Sequence, residues 1–523
     1  MADTARGEQG RRFGAVDERS ASRDRARGLV IALAGVLAYV CIHAGFRLLA
    51  SSTLGEDDTL DQILVQELRG GYDPRQPPLY DWVLFAVQQV TGPKLISFLA
   101  IKYAALTATV VFLYLAAYRI LQDRIWALLT VESLALIYQI AWRYHEGFTH
   151  EVLAMVAVAA TLWAFLRLYG HGRLADVVLF GVISGFGMLT EPNYTVYQMC
   201  LWGAAVMQPA IKQRVVTPRL LISVVIAALI ASPFVWWVVS DPSHFDAYFR
   251  PSEHGHLTDM AIGVKDALRG PFMYLAPLIV IVPLIFPGFL ARAWADIKSV
   301  WTRAFVEQPA DLARLVLSTM LLGIALSIFG GVAFGIGNYA MHVLMPLYVT
   351  SVIWLISVAQ RSEGGLRRRP VLAKVALVIA VIALVARLAN MFVLDPVCKK
   401  CRWGIPYATL AQQLTASGFD GNGTIIVIDD ELGGNLRPYF PNARFVLHGY
   451  HAFMPDREAR SGDIRLLVWD AKEPDKAIAE VLHDITARGS SVPGKPVLIE
   501  APWHHLWKPD GYRTSDWKFV MLK

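Results

Sequence analysis

Long apolar runs alternate with short polar connections along most of the chain. Runs of roughly 20 residues recur near 28–50, 95–118, 125–141, 150–169, 174–190, 194–210, 218–239, 271–290, 312–334, 338–359 and 370–393. Each is long enough to cross the hydrocarbon core of a bilayer as a helix. The pattern predicts a polytopic α-helical membrane protein with about 11 transmembrane helices. After Leu394 the pattern changes. Segments 424–429, 443–448, 464–469, 496–501 and 517–522 read as short strands, and 407–418 and 474–489 carry helical spacing. The expected domains are a polar, Arg-rich and disordered tail at 1–27, a membrane domain at 28–394 with an external loop at 51–94, and a small α/β domain at 395–523.

Composition sharpens this picture. Of 523 residues, 55% are hydrophobic and only 18% charged, which excludes a soluble enzyme of this length. The first run is too long for a signal-peptide core, and no small-residue cleavage site follows it. The net charge of +6 is no nucleic-acid footprint, because the basic residues sit in alternate loops. Arg119 and Arg124, Arg167 and Arg173, Lys212 and Arg214, Arg292 and Lys298, and Arg367 to Arg369 mark one side. By the positive-inside bias that side is cytoplasmic. The 51–94 loop, 143–150, 191–194, 240–270 and the C-terminal domain then lie outside the cytoplasm. Cys41 and Cys200 fall within apolar runs and read as packing. Cys398 and Cys401 form "CKKC" without a second ligand pair for zinc, and read as a local disulfide.

Ionisable residues gather at helix ends on the external face, where by default they mark function. Glu56, Asp57, Asp58 and Asp61 open a stretch that continues through Tyr72, Arg75, Gln76, Pro78, Tyr80 and Trp82. "RYHEGFTHE" supplies Arg143, His145, Glu146, His150 and Glu151, "TEPNY" supplies Glu191, Asn193 and Tyr194, and "NYAMHVLMP" supplies His342. Blander readings stay open: the acids as solvated loop, and Tyr80 and Trp82 as interfacial belt. The spacing of "HEGFTHE" is not H-E-x-x-H, so no metal is assigned, and a divalent metal stays open as a cofactor. No nucleotide-binding fingerprint is present, so an activated substrate must already lie on the outer side.

An acid pair directly after the first helix, "QPPLY" about 20 residues on, about a dozen helices and a soluble tail resemble the C-type membrane glycosyltransferases. The likeness is to the bacterial branch of the protein O-mannosyltransferase-like family, which includes the aminoarabinose and galacturonate transferases of lipid A. It is specific in "DDTLDQILVQELRGGYDPRQPPLYDW" and weaker in "YHEGFTHE", "GMLTEPNY" and "HVLMPLY". The resemblance implies inverting transfer of a sugar from a polyprenyl-phosphate donor to a lipid or envelope-glycan acceptor. It implies a site on the periplasmic face of a bacterial inner membrane. Asp57 would be the catalytic base, with Asp58 supporting it. Arg75, Arg143, His145, Lys265, Arg269 and His342 are candidates to hold the leaving phosphate. The sequence departs from the family where Glu191 replaces a Lys and His342 an Arg. A transporter or flippase of lipid-linked sugars, or a non-catalytic diverged member, are the rival readings. The first is weakened by the absence of an internal repeat.

Overall fold

The computed structural model describes residues 22–244, 256–334, 345–450, 452–456, 464–487, 494–505 and 507–522, with backbone alone at 2–21 and 345–346. Helix α1 (Ala2–Ala50) leads into α2 (Asp57–Leu64), α3 (Leu79–Thr91), α4 (Leu95–Leu121) and α5 (Arg124–Glu132). There follow α6 (Tyr138–Ala141), α7 (His150–His171), α8 (Leu174–Met188), α9 (Pro192–Val206), α10 (Pro209–Val215) and α11 (Leu220–Ser240). The second half holds α12 (His256–Leu275), α13 (Leu278–Ile285), α14 (Phe289–Thr302), α15 (Leu312–Phe334), α16 (Met345–Tyr348), α17 (Ser351–Arg361) and α18 (Gly365–Phe392). Among the described residues, six helices are long and apolar enough to cross a membrane, and the bent pair α13–α14 makes a seventh. These are α1, α4, α7, α11, α15 and α18. The chain is a multi-pass membrane protein. Helices α4 and α7 are mostly buried, whereas α1, α11 and α18 leave most of their apolar surface uncovered, as lipid contact requires.

Several runs that look continuous in sequence are broken in the structure. The 125–141 run ends as a helix at Glu132, because Ile137 turns extended and bridges to Pro277. The 271–290 run bends by 116° between α13 and α14. Phe286 is extended there and Gly288 sits at φ 72°, a conformation glycine adopts without steric cost. The 194–210 run stops at Gln208, which precedes Pro209 and is forced out of the helical region. The 338–359 run lies partly outside the described residues. The N-terminal tail, expected to be disordered, continues α1 back to Ala2. The loop at 51–94 contains α2 and α3, which carry the acids.

The C-terminal part is a five-stranded sheet in the order β2-β1-β3-β5-β4. Its strands are β1 (Thr424–Val427), β2 (Arg444–Leu447), β3 (Arg465–Asp470), β4 (Val497–His505) and β5 (Lys508–Leu522). β1 pairs in parallel with β2 and β3, and β5 runs antiparallel to β3 and β4. Helices α19 (Tyr407–Ala416) and α21 (Asp475–Ala487) fall where their spacing predicts. Helix α20 (Asp430–Leu436) is not legible in "DELGGNL", since two glycines depress helix propensity. Those glycines permit its docking. A Cβ on Gly434 would lie 2.4 Å from the Thr59 carbonyl oxygen, and one on Gly433 would lie 2.7 Å from Ile63. Helix α20 therefore presses directly on α2.

Side chains lock that contact. Leu54 N–H donates to Asn435 at 2.7 Å, Thr59 donates to Asp430 at 2.7 Å, and Gln66 donates to the Phe445 carbonyl at 2.9 Å. Arg437, buried, donates to the Gln62 and Val65 carbonyls and to Gln88. Replacing Asn435 by Ala removes the partner of a buried backbone amide and is expected to destabilise the α2–α20 contact by about 1–3 kcal/mol. Limited proteolysis of the C-terminal part would check this, and an unchanged cleavage rate would contradict it. Cys398 and Cys401 are bonded to each other, while Cys41 and Cys200 are free.

Candidate active site

The site is built around the first turn of α2. Its N-cap, Glu56, holds φ 47°, a left-handed conformation that costs a non-glycine residue energy. Two contacts hold it there. Arg143 pairs with its carboxylate at 3.1 Å, and Gly147 lies so close that a Cβ would sit 2.5 Å from the Glu56 Cβ. The turn sends the next two carboxylates in different directions. Asp58 points inward and meets Lys102 of α4 at 2.7 Å, both side chains being at most 4% exposed. Burial pushes Asp58 up to about 6 against the opposing charge of Lys102. Asp57 faces out, exposed by surface area but crowded by protein. Burial and the negative charges of Glu151, Asp61, Asp58 and Glu56 push it up to about 7.

Three separate sequence stretches therefore converge. Glu151 opens α7, and Glu191 precedes α9 as its N-cap. Glu191 is buried, and burial together with Glu151 and Asp57 holds its carboxyl well above the usual carboxylate range, opposed by His150. Beneath Asp57, His150 lies between Asp61 of α2 and Asp81 of α3. Its Nε2 is 3.8 Å from Asp61 and 3.7 Å from Asp81. One ligand atom from each of the three lies within 4.8 Å of the others, a donor set that the sequence spacing did not reveal.

Of the cations the sequence suggested, Arg143 lies beside the acids, and Arg387 and Arg402, which it did not suggest, join it. Arg387 of α18 lies 3.8 Å from Glu146 and donates to the Trp142 carbonyl. Burial raises the Glu146 carboxyl, while the positive charges of Arg387, Arg143 and Arg402 act to lower it. The Arg402 guanidinium packs against Gly55, immediately before α2. His145 is no free cation. Its ring is buried, stacked on His43 at 4.1 Å, with Tyr39 on Nε2 at 2.8 Å and Tyr103 on Nδ1 at 3.1 Å. Burial holds it well below the usual imidazole range, and Arg387 and Lys102 add to this.

The remaining sequence candidates scatter. Arg75 is exposed and pairs with Asp73 at 3.3 Å, in a turn that also exposes Gln76. Pro78 caps α3, and Tyr80 is buried with its ring 5.4 Å from His150. Tyr72 is buried, donates to the Glu67 carbonyl and packs on Phe453, so it joins the loop to the α/β domain. Tyr194 bonds Thr161 at 2.6 Å and accepts from Gln198 at 2.7 Å, which places it between helices, and Asn193 is half-buried beside it. Lys265 and Arg269 are exposed on α12. His342 lies outside the described residues. Lys102, Arg387, Arg47 and Asp81 were missed. Their signal was a lone ionisable residue inside or beside an apolar run, which is costly unless paired.

Residues 75–237 match the family model described as dolichyl-phosphate-mannose-protein mannosyltransferase. The lipopolysaccharide core galacturonosyltransferase RgtB of Rhizobium johnstonii is 26% identical over 91% of this chain and 94% of its own length. RgtA of the same organism is 25% identical over 89% and 91%. Among solved structures, ArnT from Cupriavidus metallidurans bound to undecaprenyl phosphate superposes with a TM-score of 0.60 at 13% identity, covering 94% of this chain and 97% of that one. The chain is a glycosyltransferase of the C-type membrane fold. Its helical membrane part and its small sheet domain both fall within that superposition. Its likeness to the protein O-mannosyltransferase-like family includes the "QPPLY" segment and the loops that carry Glu151 and Glu191.

Proposed function

We propose that this glycosyltransferase moves a hexuronosyl group from a polyprenyl-phosphate donor to a lipopolysaccharide-type acceptor, with inversion, at the periplasmic face of a bacterial inner membrane. The observation that carries the reading is Asp57. It is an outward carboxylate at a helix exit, beside the interface where a lipid-linked phosphate must lie. As an ionised base it takes the acceptor hydroxyl proton while that oxygen attacks the anomeric carbon. The polyprenyl phosphate leaves with the electrons of the broken C–O bond, and Arg143, Arg387 and Arg402, whose charges all act on Glu146, are the candidates to neutralise it. Asp58 and Lys102 hold α2 in place. A cavity of about 430 Å³ between α1, α4, α5 and α18 is lined almost wholly by aliphatic side chains, with Tyr39 and Glu132 the exceptions, and suits the hydrocarbon chain.

The galacturonosyl relatives support a uronic-acid donor, and Glu191, whose carboxyl burial holds above the usual range, can in its protonated form donate a hydrogen bond to a sugar carboxylate. The acidity of Asp57 and Glu151 favours an amino sugar as the second reading. The test is transfer in membranes containing the chain, supplied in parallel with polyprenyl-phosphate galacturonate and aminoarabinose and with core lipopolysaccharide, the products read by mass spectrometry. Transfer of neither sugar would overturn the proposal.

A pH dependence follows from the same group. The base form of Asp57 is the ionised one, and its fraction grows as pH rises through about 7. The transfer rate is therefore expected to climb about tenfold per pH unit below that value and to level off above it. A rate that is flat from about pH 5.5 to 8 would contradict the assignment.

A further inference from the structure

The cluster under Asp57 has a chemistry of its own. We propose that Asp61, Asp81 and His150 bind one divalent cation of the zinc class, which ties α2, α3 and α7 together beneath the catalytic carboxylate. The three side chains are at most 4% exposed. Asp61 Oδ2 and Asp81 Oδ1 make no hydrogen bond within the protein. Each carboxylate thus keeps one buried oxygen without a hydrogen bond, which is costly. An imidazolium alone does not repair this. The separations of 3.7 and 3.8 Å exceed the ordinary hydrogen-bond range of about 2.7–3.2 Å. They come closer to the roughly 3.3–3.6 Å between ligand atoms around a tetrahedral metal with bonds of about 2.0–2.2 Å.

The donor set agrees with that class. One imidazole nitrogen and two carboxylates are borderline-to-hard ligands, suited to zinc or manganese rather than to a thiolate-seeking ion. With a neutral imidazole the set carries two negative charges, which a divalent cation cancels. The fourth position is left to water or to the nearby Tyr80 hydroxyl, itself buried without a partner. The ligands come from three helices distant in sequence, so the cation is a clasp: it fixes α2 from below while Glu56 and Lys102 fix its first turn. Asp61, Asp81 and His150 are thus positioning residues, and the inference stands whatever sugar is transferred.

The experiment uses the full chain in detergent, purified without metal-affinity resin. Elemental analysis after exposure to zinc chloride and dialysis is expected to find about one zinc per chain, falling at least tenfold in Asp81→Asn and in His150→Gln. Chelator should lower the melting temperature of the wild type, and zinc chloride should restore it. Neither treatment should move the melting temperature of variants that elute as folded protein. If a variant does not fold, the wild-type metal content and its reversible shift still decide. A wild type that keeps less than about a tenth of an equivalent of zinc, and melts identically in chelator and in zinc, overturns the site and leaves an imidazolium between two carboxylates. That result would leave the sugar-transfer reading standing, since its test turns on Asp57 and the donor.

Discussion

Asp57→Asn is expected to lower transfer by roughly 100-fold or more, the usual scale for losing a positioned general base. Asparagine keeps the size and the start of α2 but cannot accept the acceptor's proton at neutral pH. The protein should fold at least as well as the wild type. Asp57 makes no ion pair among the described residues, and its carboxylate is repelled by Glu151, Asp61, Asp58 and Glu56. Removing that charge relieves repulsion. The rising limb of the pH profile should disappear in the variant, because the group that titrates near 7 is gone. Transfer measured in membranes at matched protein levels, across the pH range, checks all three statements. If Asp57→Asn retains near-normal transfer, the carboxylate is only a solvated helix start and the base must be sought at Glu151 or Glu191.

What the sequence made legible follows from where each signal lives. Helical period and apolar length are local, so the membrane helices and the short apolar strands at 424–427 and 465–470 could be read directly. Asp57 stood out because adjacent acids at a helix exit are conspicuous. The break at Glu132 was hidden because a distant segment meets it, Ile137 bridging to Pro277, and the bend at Phe286 because a single permissive residue, Gly288, is enough to make it. The partners of the acids were hidden for the same reason. Lys102 lies in "FLAIKYAALT" and Arg387 in "ALVARLANMF", where only the cost of a lone charge among apolar neighbours hints at a partner. His145 looked like a phosphate ligand until Tyr39, Tyr103 and His43, each from another part of the chain, closed around it. Asp81 sat inside the quoted motif yet gained meaning only once α7 brought His150 to it.

The pair Lys102–Asp58 gives the second large effect. Lys102→Met leaves Asp58 buried without its ion-pair partner, a change expected to cost about 3–5 kcal/mol. That is a large share of the margin of about 5–15 kcal/mol that holds a typical fold together, so the folded yield should fall sharply. The loss should depend on pH with a definite sign. Asp58 already titrates at about 6 with its partner present, burial outweighing the lysine. Without Lys102 its pKa rises further, and the folded state binds a proton that the unfolded chain, with an ordinary carboxylate pKa, does not. Stability of the variant therefore falls as pH rises from the unfolded chain's carboxylate pKa of about 3.9 to that higher value and levels off above it, so the protein should melt at a higher temperature at about pH 5.5 than at about pH 8. Adding Asp58→Asn to Lys102→Met removes the unpaired charge and should restore most of the folded yield, because a pair replaced by neutral groups costs far less than one partner stranded. Thermal unfolding of the two single variants and the double variant at both pH values measures the coupling. A Lys102→Met protein that melts with the wild type at pH 8 would mean the pair contributes nothing to α2. A double variant that stays as unstable as the single one would mean Lys102 acts through its ammonium bond to the Glu146 carbonyl, and not through Asp58. Transfer by the rescued double variant then separates stability from chemistry: activity that returns with folding makes the pair a scaffold for Asp57.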